Sequence, residues 1–229
     1  MFCDHFSYAF FGHFTFLNLI GRIAFPIFAY QISEGYIHTQ NIKKYFLRLG
    51  IFAIISQIPF SLFIYKISNN SLDSILSLNV FFTLFLGLLS IFLYDYFTKL
   101  SHKRKTNLAE NSFLSIYKIL GIVIVLLIGY IAKILNTDYG FWGILVVFAF
   151  YVFKNDKLAM VISFIALCII KYGISIINYG YNYIYVLLCI FTILPVAIIS
   201  FYNGKQGRKI KYLLYFFYPL HLLFLYFIA

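Results

Sequence analysis

Residues 21–39 read GRIAFPIFAYQISEGYIHT, an apolar run that holds Arg22, Pro26 and Glu34 and ends at His38. Crossing the hydrocarbon of a bilayer takes about 20 mostly apolar residues, which is the length of this run. Outward from it the same character continues. The chain has 229 residues, of which 63% are hydrophobic and 11% charged, with a mean hydropathy of +0.91. A soluble domain of this size cannot hide so much apolar surface, so the bilayer must be the solvent for much of it. Ionisable residues inside a span are costly there, which makes them candidates for function.

Apolar windows at 19–36, 45–66, 74–97, 113–135, 139–153, 158–178, 182–202 and 211–228, with a partial segment at 1–11, predict an all-α polytopic transmembrane bundle. It has about eight full spans plus a partial N-terminal helix, in one domain over 1–229. Alternate connections carry the lysines and arginines: 38–48, 99–111, 154–157 and 203–211 are basic, whereas 68–74, 136–139 and 178–181 contain no Lys or Arg. By the positive-inside rule the 38–48 connection is cytoplasmic and the C-terminus lies outside. The net charge of +11 is thus spread over loops that face anionic headgroups, which argues against nucleic-acid binding. Lys66, Lys133 and Lys171 are expected to snorkel from outer span ends. Cys3, Cys168 and Cys189 have no paired spacing, so neither a disulfide framework nor a metal site is expected. No cleavable signal pattern and no internal repeat is visible.

Asp4-His5 can form one polar unit in which the carboxylate fixes the imidazole tautomer, as a general base requires, or both can face headgroups. Arg22 and Glu34 are twelve residues apart, about 18 Å along one helix, so each needs a partner elsewhere. Such partners can serve a reaction or merely fix packing. Pro26 should bend the span and free carbonyls near Ile20–Arg22. Glu34 and His38 share a helix face. With Lys43, Lys44 and Arg48 they can attract a phosphorylated ligand, or simply be positive-inside loop charge. Asn79 and Thr83 can bridge helices, and Asp138-Tyr139-Gly140 reads as a turn. The basic turn NGKQGR, with Lys205 and Arg208, suits phosphate. It precedes YLLYFFYPLHLL, where His221 lies deep in the last span beside Pro219.

MFCDH, GRIAFPIFAYQISEGYIHT, KKYFLRLGIFAIISQIPF, LNVFFTLFLGLL, DYGFWGILV, YNGKQG and FYPLHLL together resemble the TraX family, membrane proteins associated with N-terminal acetylation of conjugative F-type pilin. The blocks occur in the family's order over nearly the whole chain. The family is similar in turn to membrane acyltransferases that use an intramembrane histidine and an acyl-CoA donor. The resemblance implies that Asp4-His5 stands at the family's Asp-His, that Arg22, Glu34 and His38 fall on its arginine–proline–glutamate–histidine block, and that His221 is the histidine of its terminal motif. Relatives carry a further apolar half-span before the Met-x-x-Asp-His element, so the true start is expected upstream of Met1.

The reading that follows is an acetyl-CoA-dependent acyltransferase of the bacterial cytoplasmic (inner) membrane. His5, oriented by Asp4, is its general base, and Arg22 or His221 stabilises the oxyanion, with Glu34 shaping the cavity. His38, Lys43, Lys44, Arg48, Lys205 and Arg208 are the candidates for the CoA phosphates, and no metal is needed. The acceptor is a membrane-associated amine or hydroxyl on a pilin-like protein, a lipid or a glycan. The rivals are a small proton-coupled transporter or channel using the same residues, and a scaffold whose buried charges specify packing.

Overall fold

In a computed structural model of the chain, residues 1–68, 76–103, 110–205 and 211–229 are described. Eleven helices account for nearly all of them: α1 (Phe2–Phe11), α2 (Phe16–Arg22), α3 (Ala24–His38), α4 (Ile42–Ile67), α5 (Val80–Lys103), α6 (Glu110–Ile134), α7 (Gly140–Val152), α8 (Lys157–Tyr179), α9 (Tyr183–Ile193), α10 (Pro195–Ser200) and α11 (Lys211–Ile228). Among the described residues, six helical stretches are long and apolar enough to cross a membrane, and α7 and α11 are shorter apolar helices. The chain is a multi-pass helical membrane protein. Its aliphatic and aromatic side chains also coat much of the outer surface, as a bilayer solvent allows.

The expected spans recur with two interruptions that prolines explain. The run 16–38 breaks at Ile23, whose N–H bonds Ile20 O in a tighter turn, three residues before Pro26 withholds its donor from Arg22 O. The run 183–200 breaks at Leu194, with Pro195 opening α10. By contrast, Pro59 and Pro219 sit inside unbroken helices.

Two ends of the bundle can be told apart by their contacts. At one, Lys157 Nζ donates to Ser200 O and Tyr202 O, and Tyr36, Asp95 and Tyr151 gather the ends of α3, α5 and α7. This is the end of the basic connections. At the other, Lys66 Nζ donates to Tyr226 O. There the approach to α5 is pinned by Asn79, fully buried, which caps Phe81 N and donates to Ala53 O and Gln57 Oε1 of α4. Asn79 therefore bridges helices, as expected of it. The neighbouring Leu78 exchanges backbone bonds with Asn136 and Asp138, an isolated parallel bridge.

That clip has a consequence for depth. With 13 residues, α7 rises only about 20 Å, short of the roughly 30 Å hydrocarbon layer. The connection 136–139 is therefore drawn into the bundle toward α3, where Tyr139 stacks on buried Phe25 at 3.7 Å.

Candidate functional site

The N-terminal hairpin is built by local rules. Gly12 adopts a left-handed φ of 63° and ends α1, and Thr15, extended, caps α2 by accepting from Leu17 N while Asn18 Oδ1 accepts from Thr15 N. Fully buried Ser7 and Asn18 join the two helices: Ser7 Oγ bonds Thr15 Oγ1 and donates to Asn18 Oδ1. Asn18 Nδ2 then donates to Asp4 Oδ1 at 2.8 Å, and Arg22 lies 3.7 Å from the same oxygen. The helices approach so closely that a Cβ at Gly21 would collide with Asp4 Cβ.

Successive residues on a helix do not face one another. Asp4 faces α2, and His5 faces α11 instead, where its Nδ1 lies 2.9 Å from Nε2 of His221. The expected Asp4-to-His5 orientation is therefore replaced by a histidine pair. His221 Nδ1 lies 2.8 Å from Phe217 O, a carbonyl that can only accept. With both rings neutral, His221 carries its proton on Nδ1 and accepts at Nε2, and His5 donates from Nδ1. The His5 Nε2 lone pair is left without a hydrogen-bond partner among the described residues. The rings are stacked at 5.2 Å, with the edges of Phe63 and Phe2 against His5 and His221 respectively. This is an oriented imidazole with a free basic nitrogen. Within electrostatic reach of His5, Arg22 Nε is buried and unpartnered, a donor that the fold leaves unsatisfied.

A family model described as TraX protein matches residues 1–229. The chain belongs to the TraX family. A relative of this TraX chain, "Probable fimbrial assembly protein FimC, serogroup H1" of Dichelobacter nodosus, is 24% identical over 221 residues, covering 90% of the chain and 80% of the relative. No solved structure matches.

The TraX fold thus brings Asp4, His5, Arg22 and His221 together and leaves Glu34 apart. Glu34 pairs with His38 at 3.4 Å on the basic end of α3 and bonds the Tyr30 hydroxyl. Lys43 and Lys44 are exposed on the first turn of α4, and Lys205 is exposed in the 201–205 connection. Arg48 packs its guanidinium between the Tyr45 and Tyr215 rings, its Nε on the Tyr215 hydroxyl. Arg208 lies outside the described residues. Among the described residues, no group of three His, Cys, Asp or Glu side chains converges as a metal site.

Several polar residues around this candidate site were not among the expected site residues. Asp138, a plain turn residue by composition, is drawn within electrostatic reach of Arg22, Asp4 and Lys171. Its rim is open to the surface, yet the protein around the carboxyl desolvates it enough to push its pKa up to about 6. Arg22 opposes that rise and Asp4 adds to it. Lys171 does not snorkel outward: its ammonium sits 3.9 Å from the Trp142 ring centroid, between Tyr139 and Tyr172. Asn18 could have been found from the Thr15-x-x-Asn18 spacing, which is a helix-start signature, whereas Ser7 on α1 lies outside it.

Proposed function

We propose that this TraX-family protein is an inner-membrane acyltransferase that moves an acetyl group from acetyl-CoA to an amine or hydroxyl, with a pilin-like N-terminus the first candidate acceptor. The observation that carries the reading is the directed chain Phe217 O, His221, His5, which leaves His5 Nε2 as a free base within electrostatic reach of Arg22, whose Nε–H is unpartnered. The family resemblance to pilin acetylation proteins and the fimbrial-assembly name of the Dichelobacter relative support the choice of acceptor.

In this mechanism His5 Nε2 takes the proton of the acceptor nucleophile as its nitrogen or oxygen bonds to the thioester carbonyl carbon. The negative charge that develops on the carbonyl oxygen meets Arg22 Nε–H, while Asp4, held by Asn18 Nδ2, pairs with the guanidinium. Collapse breaks the carbon–sulfur bond, and the leaving CoA thiolate recovers the proton from His5. The products are the acetylated acceptor and CoA. His221 accepts the His5 Nδ1–H throughout, as a positioning residue.

The test is incubation of purified protein in lipid nanodiscs with radiolabelled acetyl-CoA and a synthetic pilin N-terminal peptide, alongside His5→Ala. Label transferred by the wild type and lost in the variant is the expected result. Equal transfer by both would overturn the assignment of the base.

A further inference from the structure

At the basic end of the bundle, a cavity of about 580 Å³ opens between α3, α5 and α7 and the first residue of α4. Its size lies within the range of small-molecule sites. Tyr36, Asp95, Tyr96, Lys99, Tyr151 and Lys154 line it. Asp95 is its hub: Oδ2 accepts from Tyr36 at 2.7 Å and from Lys99 at 2.6 Å, and Oδ1 accepts from Tyr151 at 3.0 Å. The one lining carboxylate is thereby neutralised by bonds the protein already makes. Lys154 sits 4.2 Å over the Tyr151 ring, and its ammonium hydrogens are still free to bond a ligand. Two lysines against one aspartate leave the lining at a net charge of +1. Thr39 and Ile42 also line it, and exposed Lys43 and Lys44 follow Ile42 in the chain.

Aromatic walls favour a flat ring, and the surplus ammonium charge favours phosphate. We propose that this cavity seats the adenosine-phosphate end of the acyl donor, with the base against Tyr96 and the phosphates on Lys154. The proposal rests on the acyltransferase reading and assigns its donor site. Lys43 and Lys44 then attract the ligand to the mouth, while Arg48, spent on Tyr45 and Tyr215, and Lys205, on the 201–205 connection, do not hold it. An anionic phospholipid headgroup offers the same phosphate from the bilayer, but it brings no aromatic ring for these walls.

The experiment is direct binding of adenosine 3′,5′-bisphosphate, and separately CoA, to the full chain in nanodiscs of zwitterionic lipid. Wild type is compared with Tyr96→Ala and Lys154→Gln, both exposed positions that leave the Asp95 hub intact. Each substitution is expected to weaken both ligands by about tenfold. Addition of phosphatidylglycerol to the nanodiscs is expected to leave that affinity unchanged. Binding unaffected by both substitutions overturns the assignment, whatever Lys43→Gln or Lys44→Gln do. Loss of nucleotide binding on adding phosphatidylglycerol overturns it in favour of a headgroup site. The failures are separable. A wild type that binds the bisphosphate through Tyr96 and Lys154 yet transfers no acetyl group sinks the reaction and keeps the site. A wild type that transfers acetyl while both variants bind and turn over normally does the reverse.

Discussion

Replacing His221 by leucine removes the acceptor of the His5 Nδ1–H while keeping most of the bulk at a position that is only 5% exposed. The orphaned donor costs about 1–3 kcal/mol in a buried setting. His5 can recover that energy only by rotating or changing tautomer, and either move takes the Nε2 lone pair off its line. At about 1.4 kcal/mol per factor of ten, the productive orientation falls by roughly 5- to 150-fold. His5→Ala deletes the base itself, a loss of about 10²- to 10⁴-fold. His221→Gln offers an amide oxygen near the position of Nε2 and an N–H for Phe217 O, so it should retain most of the activity.

The assay is kcat/KM for labelled acetyl transfer in nanodiscs, with unfolding measured in parallel. The expected order of activity is wild type, His221→Gln, His221→Leu, His5→Ala. Because His221 works only through His5, adding His221→Leu to His5→Ala should change little. Two outcomes would refute the relay. One is a His221→Leu enzyme within twofold of wild type. The other is a double variant whose loss is the product of the two single losses.

Asn79→Leu deletes two hydrogen bonds to α4, each worth about 0.6 kcal/mol in a membrane, and a helix cap worth about 1 kcal/mol. A loss of roughly 2 kcal/mol in detergent-titrated unfolding is expected, and a change under about 0.5 kcal/mol would contradict the burial argument. For Asp138 the sign follows from its raised pKa of about 6. Between the unfolded carboxyl value and 6 the native state holds the extra proton, so stability falls as pH rises through that window. Asp138→Asn, a mimic of the protonated form, should raise the apparent Tm at pH 7.5 and shift it much less at pH 4.5; equal shifts at both would refute the assignment. Gly21→Ala should abolish transfer although it touches no substrate, because its new methyl group displaces Asp4 and with it the pair to Arg22. Full activity in that variant would mean that α1 can move without consequence.

The spans were legible because apolarity over about 20 residues is a bulk property, and the alternation of basic connections confirms each boundary independently. Asp4, Arg22 and the two histidines were legible for a related reason: in an apolar chain, a polar side chain stands out. What stayed hidden was direction. No spacing rule says that Asp4 turns to Asn18 and His5 to His221, since that depends on α1 packing between α2 and α11. Depth was hidden as well, because the Leu78 clip ties the 136–139 connection to the approach of α5 and brings Asp138 within electrostatic reach of Arg22, whereas its sequence context is that of an ordinary turn. Asp95 is different. It lies in an apolar run with Lys99 one turn on, so the reasoning that singles out Arg22 applies equally to it.

The two polar centres stand at opposite ends of one interrupted helix. Arg22 and Tyr36 are fourteen residues apart, about 21 Å at helical rise, with the break at Ile23 next to Arg22. No single charge constellation could serve both a soluble, phosphorylated donor and an acceptor held at membrane depth. On the acyltransferase reading the donor's charge belongs where the lysines are, at the aqueous end, and the reacting carbonyl belongs where water is scarce and the unpartnered Nε–H of Arg22 acts at low dielectric. A ligand joining these places must carry its phosphates on one end of a long neutral arm and its reactive carbon on the other, which is the chemistry of an acyl-CoA. Buried Phe25, one turn beyond Arg22 along that helix, stacks on Tyr139.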